Sequence, residues 1–99
     1  MKKPRPIPED AAEALAVQAL TFIAADGERL GRFLAITGIA PGEIRAVARE
    51  PGFLLGVLEH LAADEALLAA FAAEAGFDPA DIGKALAVLG GGQWEREVP

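Results

Sequence analysis

Ninety-nine residues, 53% of them hydrophobic and 24% charged, support one domain; a chain of this length buries roughly 60 to 65% of its unfolded surface, so a second independent core does not fit. The formal charge of −6 argues against a phosphate backbone as partner, and the absence of cysteine excludes disulfides, thiolate catalysis and Cys-based zinc sites. With five Phe and one Trp as the only aromatics, and alanine and leucine carrying most of the apolar content, the composition favours helices.

The chain opens with Met1-Lys2-Lys3-Pro4-Arg5-Pro6, and residues 1–7 read as a flexible arm because two prolines forbid a helix there. Glu9, Asp10 and Glu13 follow too soon for a signal peptide, and no stretch approaches about 18 uninterrupted apolar residues, so neither a leader nor a membrane span is expected. The expected address is the cytoplasm. Pro8 suits a first helical position, the carboxylates of Glu9 and Asp10 suit the positive end of a helix dipole, and Leu15, Ala19, Phe22 and Ile23 supply an apolar stripe, which predicts helix one over about 8–25.

Asp26 is placed to cap a second helix whose stripe is Leu30, Phe33 and Leu34, and Gly38 to close it in a left-handed conformation. Pro41 opens a third helix with Ile44, Val47 and Ala48, which ends where Pro51 forces the preceding residue out of helical geometry. The pattern then starts again. Pro51 opens helix four with Phe53, Leu54, Val57, Leu58 and Leu61; Asp64 caps helix five with Leu67, Leu68 and Phe71; Gly76 closes it. Asp78-Pro79 caps and opens helix six with Ile82, Leu86 and Leu89, and Gly90-Gly91-Gly92 is read as its stop, leaving residues 91–99 as a second flexible tail.

Residues 15–48 align without a gap on residues 53–86, a shift of 38. The identities are Leu20/Leu58, Ala24/Ala62, Ala25/Ala63, Asp26/Asp64, Leu30/Leu68, Phe33/Phe71, Ala35/Ala73, Gly38/Gly76, Pro41/Pro79 and Ile44/Ile82. All are core positions, caps or turn punctuation, and none performs chemistry. Two copies fall short of the three or so that a stacked array needs, so they are expected to close on each other. The expectation is an all-α single domain over residues 8–90, of about six helices in two similar three-helix units, 8–50 and 51–90, related by a pseudo-twofold. Its expected core is Leu20, Leu30, Phe33, Ile44, Leu58, Leu68, Phe71 and Ile82.

The run from Glu13 to Asp26, the segment Glu28-Arg29-Leu30-Gly31-Arg32-Phe33-Leu34, the Pro51-Gly52-Phe53 step and Ala62-Ala63-Asp64-Glu65 together resemble a small, functionally unassigned family of all-helical proteins of alphaproteobacteria. The resemblance covers about residues 9–90 and implies a helical domain; it transfers no activity, cofactor or catalytic residue.

Few side chains offer chemistry. His60, the single histidine, lies beside Glu59 and one helical turn before Asp64, which outlines a sparse acid-base or metal site. Its alignment with Phe22 argues instead for a structural position at the core's edge. Asp26 and Asp64 could meet as paired carboxylates across a twofold, but both follow Ala-Ala at a helix junction, where a cap is required. Serine and tyrosine are absent and Thr21 and Thr37 are the only threonines, so a serine nucleophile is excluded. No Gly-rich loop precedes Lys-Ser or Lys-Thr, so phosphate cradling lacks its motif.

Arg29, Arg32, Arg45 and Arg49 fall in the first unit, where the second has Leu67, Ala70, Gly83 and Ala87. They outline a basic patch for an acidic partner, against the plainer reading of a solvated face paired with Glu28, Glu43 and Glu50. A DNA-reading helix would need more basic and amide side chains than helices three and six carry. Trp94 stands outside the repeat and either docks on the core or meets a partner. The leading functional expectation is a non-enzymatic protein-interaction or dimerisation module with no cofactor and no metal. The alternative is a small-ligand-binding or weakly catalytic domain with a pocket at His60 and Glu59.

Overall fold

The computed structural model describes residues 8–50 and 52–97, with side chains to residue 90. Pro8 is the extended N-cap of α1, Glu9–Ala24, so the helix starts one residue later than expected. Asp26 caps α2, Gly27–Thr37, by accepting the amide of Glu28 at 2.9 Å. Asp64 does the same for α5, Glu65–Ala75, accepting the amide of Leu67 at 3.1 Å. In each, the side chain satisfies an amide that the first helical turn leaves without a carbonyl. The closing glycines Gly38 and Gly76 take φ of 77° and 81°, the left-handed region that a Cβ makes costly, and donate back to Leu34 and Ala72 at 2.9 Å.

A single 3₁₀ turn, Pro41–Glu43, leads into α3, Ile44–Val47, which is four residues long. Helix α4, Phe53–Ala62, follows Gly52; Pro51, expected to open it, lies outside the described residues. The last helix, α6, runs Pro79–Glu97, with the Asp78 carboxylate accepting the amide of Ala80 at 2.9 Å. The expected stop at Gly90-Gly91-Gly92 is not taken. Glycine weakens a helix by about 1 kcal/mol per residue without forbidding it, and Gly90 lies close against the Leu55 side chain of α4, where a Cβ would meet methyl carbons at 3.7 and 3.8 Å. The arm 1–7 and residues 98–99 lie outside the described residues.

The fold is all-α, with six α-helices and no strand among the described residues. Helices α1, α4 and α6 pack on one another as the central layer, α2 on α1 and α5 on α4 and α6. Alanines make the centre close. Ala12, Ala16, Ala19 and Ile23 form one fully buried stripe of α1, facing a layer that includes Val57, Leu58 and Leu61 of α4 and Ile82 and Ala85 of α6. Of the expected core, Phe33, Leu58, Phe71 and Ile82 are fully buried, whereas Leu20, Leu30, Ile44 and Leu68 are half-buried at its margin.

Three aromatic contacts join α1 and α2 to α4 and α5, and two of them involve positions related by the shift of 38. Phe22 of α1 meets Phe71 of α5 with ring centroids 5.3 Å apart, and His60 of α4 meets Phe33 of α2 at 5.1 Å, edge to face. Positions 22 and 60, and 33 and 71, are each 38 apart, so the same two positions meet in both contacts, once in each direction. The third helices do not correspond in this way: α3 is a 4-residue helix and α6 is 19 residues long and packs along α1 and α4.

Phe33 is 1% exposed and touches both Phe53 and His60. Its replacement by alanine is expected to cost about 3 to 5 kcal/mol, most of the stability of a small domain. Urea denaturation checks this, and a loss under about 1 kcal/mol would show that the ring does not close the core.

Candidate functional site

The side chains with chemical potential gather where α2, α4 and the start of α5 meet. His60 projects from the last turn of α4 and packs its ring on Phe33, which keeps it half-buried. Its Nε2 is sealed from solvent and has no hydrogen-bond partner. A buried unpaired nitrogen is costly, and far more so if charged. Burial accordingly pulls the His60 pKa below its ordinary 6.5; the carboxylate of Asp64 opposes that pull and the guanidinium of Arg32 adds to it.

Arg32 reaches from α2 across the junction to Asp64, Nη1 to Oδ2 at 3.9 Å. At that distance, with the arginine side chain 70% exposed, the pair contributes little to stability. It does place a positive group beside His60 while Asp64 keeps its capping role. Two recesses adjoin this cluster. The larger, about 780 Å³, is an open groove walled by Arg32, Ile36 and Thr37 of α2 and by Gly56, Glu59 and His60 of α4, and it runs over Ala63, Asp64, Glu65 and Ala66 at the start of α5. The smaller, about 210 Å³, lies between the two capped helix starts and is lined by Asp26, Glu28, Arg29, Arg32, His60, Asp64 and Leu67.

The structure therefore brings His60 and Glu59 to one groove and the two capping aspartates to one recess. Neither aspartate is free there. Asp26 holds the α2 amide and lies 3.8 Å from Arg29, and Asp64 holds the α5 amide and Arg32. Arg29 is further engaged with its guanidinium 4.1 Å over the Phe22 ring. The four arginines of the expected basic patch thus divide: Arg29 and Arg32 turn toward carboxylates of their own chain, while Arg45 and Arg49 are exposed and line neither recess. Among the described residues no three His, Asp or Glu converge to hold a metal ion, and no helix is long and apolar enough to cross a membrane. The Trp94 side chain lies outside the described residues.

Residues 9–92 match the model of a family described as "Protein of unknown function (DUF3572)". The chain belongs to this family. Neither the comparison with curated proteins nor that with solved structures returned a match. Membership in DUF3572 agrees with the resemblance to a functionally unassigned family, and it assigns no residue a role.

Sequence reasoning reached His60, Glu59 and Arg32 of this DUF3572 groove and passed over Ile36, Gly56 and Ala66. One signal was present: the 38-residue alignment sets Ile36 against Glu74, an apolar residue against a charged one, at a position that faces solvent in both helices.

Because the folded chain holds His60 less basic than the unfolded chain does, unfolding takes up a proton once pH falls below about 6.5. The stability contributed by the neutral ring is full above that value and declines as pH is lowered from about 6.5 toward 5.5. His60→Phe, which puts at position 60 the residue found at 22, is expected to fold at least as well at pH 5.5 and to lose this share of the pH dependence. Urea midpoints of both proteins at pH 7.5 and 5.5 check it; parallel shifts would show that His60 titrates normally.

Proposed function

We propose that this DUF3572 chain is a non-enzymatic protein-interaction module whose docking surface is the groove between α2, α4 and α5. The observation that carries the proposal is Ile36. It stands 66% exposed on the wall of the groove, although a branched apolar side chain left in water forgoes about 1.5 to 3 kcal/mol of burial. An exposed isoleucine beside an open cleft is what an anchor for a partner's side chain looks like before the partner arrives.

The type of interaction follows from what surrounds it. Ile36 and Val17 are the exposed large hydrophobics among the described residues, and Val17 lies on α1, away from the groove lining. An obligate homodimer would present a broad apolar face. A single anchor in a cleft instead suits a short segment of another protein, so we favour an adaptor over a self-associating module. Nucleic acid is disfavoured by the charge of −6 and by the engagement of Arg29 and Arg32 with Asp26 and Asp64. A cytoplasmic setting belongs to the same proposal.

A second reading has its own support. The groove, about 780 Å³, falls within the size range of small-molecule sites and includes both His60 and Glu59, so it suits a ligand-binding or weakly catalytic pocket. Its openness favours a peptide, because small ligands are held mainly by enclosure.

Tagged wild-type protein recovered at native expression level is expected to carry a partner in fixed proportion. Ile36→Gln should reduce that recovery about tenfold or more, as loss of a central anchor does, with an unchanged urea midpoint. Val17→Gln serves as the exposed control and should leave recovery unaltered. Recovery of the chain alone, sedimenting as a monomer, would count against the module, and loss of a bound small molecule on His60→Ala would favour the second reading.

A further inference from the structure

We infer that the groove accepts a basic amphipathic segment of a partner protein, with one apolar side chain seated on Ile36 and Lys or Arg side chains over Glu59 and Glu65. The inference rests on the interaction reading above and names the chemistry of the occupant.

The groove's charges decide its sign. Of the four formally charged residues in its lining, Arg32 and Asp64 pair with each other at 3.9 Å. That leaves the carboxylates of Glu59 and Glu65, both exposed and both without an ion-pair partner among the described residues. His60 adds little positive charge near neutral pH, since burial lowers its pKa from the ordinary 6.5 despite the opposing pull of Asp64. The whole chain carries −6, so its net charge also favours a cationic over an anionic partner on encounter. A basic segment would gain on encounter rate and on contact; an acidic one would be repelled by both.

The groove's floor supplies room for the apolar anchor. Gly56 lies inside α4, where glycine is a poorer choice than alanine, and a Cβ added there would meet no atom within 4 Å. Internal packing therefore does not require the glycine, and the space above it is open. Ala63 and Ala66, around the start of α5, add only methyl groups to the lining, so the large apolar side chain that α2 contributes is Ile36.

A second copy of the chain fits poorly. A twofold interface sets a patch against itself, which would place Glu59 and Glu65 of one copy near the same carboxylates of the other. A phosphate-bearing partner meets the same two carboxylates and is repelled.

The test uses the full chain, labelled with ¹⁵N, and two synthetic amphipathic peptides with the same leucine positions, one bearing lysine on its polar face and the other glutamate. The lysine peptide is expected to shift the amide resonances of Ile36, Gly56, Ala63 and Ala66, and the glutamate peptide to leave them in place. Neutralising both carboxylates together, Glu59→Gln with Glu65→Gln, should weaken the lysine peptide about tenfold. Gly56→Leu should block it by filling the cleft while the helical spectrum is retained. Equal binding of the two peptides, shifts confined to another face, or indifference to both variants would overturn the inference, as would self-association of the chain that Ile36→Gln abolishes. The two readings fail separately. A captured partner that is lost on Ile36→Gln but indifferent to Glu59→Gln with Glu65→Gln leaves the interaction module standing and removes the basic segment. A chain that captures no partner and binds neither peptide removes both.

Discussion

The placement of the outer helices, and of every side chain that lines the groove from them, depends on two aromatic rings, Phe33 and Phe71, that α2 and α5 drive into the centre. Both are 1% exposed. Helix α2 has few other means of attachment, since Phe33 is its one fully buried residue, with Leu30 and Leu34 half-buried beside it. Burying an aromatic side chain of this size brings roughly 1.5 to 3 kcal/mol, before the edge-to-face contacts with Phe53 and His60 are counted. Where the ring goes, the helix follows, and with it Arg32 and Ile36 on the flanking positions.

The proposed docking surface is thus a by-product of a core contact. Phe33 takes one face of the junction and His60 covers it, so the imidazole becomes the boundary between the apolar centre and the groove. At the corresponding position of the other contact, Phe22 meets Phe71 and is itself covered by the guanidinium of Arg29. One seam is closed by hydrocarbon and a cation; the other has a polar ring with an unpaired Nε2 and opens into a cleft. The difference between the two seams, more than their likeness, leaves the groove.

Capping ties this seam to the electrostatics. Asp64 must sit at the start of α5 to hold the Leu67 amide, which fixes a carboxylate within reach of Arg32 and close to His60. Arg32 stays exposed but lies against this carboxylate, and the basic surface expected from four arginines of the first unit is reduced at this end. Glu59 and Glu65 remain outside that arrangement. The acidic character of the groove therefore arises from which charges the caps have already consumed.

The helices, their caps and their closing glycines were legible in the sequence because each is a local matter. Asp26 and Asp64 precede free amides, Gly38 and Gly76 follow the last apolar turn, and both effects act within a few residues. The pairing of His60 with Glu59 was readable from their adjacency, whereas Ile36 was passed over although its mismatch with Glu74 was there to be seen. The length of α6 was not, because the Gly90-Gly92 run reads locally as a stop and only the packing of α6 along α1 and α4 carries the helix past it. Nor was the inequality of the third helices or the meeting of Arg32 with Asp64, which lie 32 positions apart. By itself, then, the sequence determined the capping aspartates and closing glycines of α2 and α5 and which class of fold the helices make; the tertiary structure decided how long α3 and α6 are, which rings meet, which charges pair and where a groove remains, because those depend on contacts between segments that no local propensity encodes.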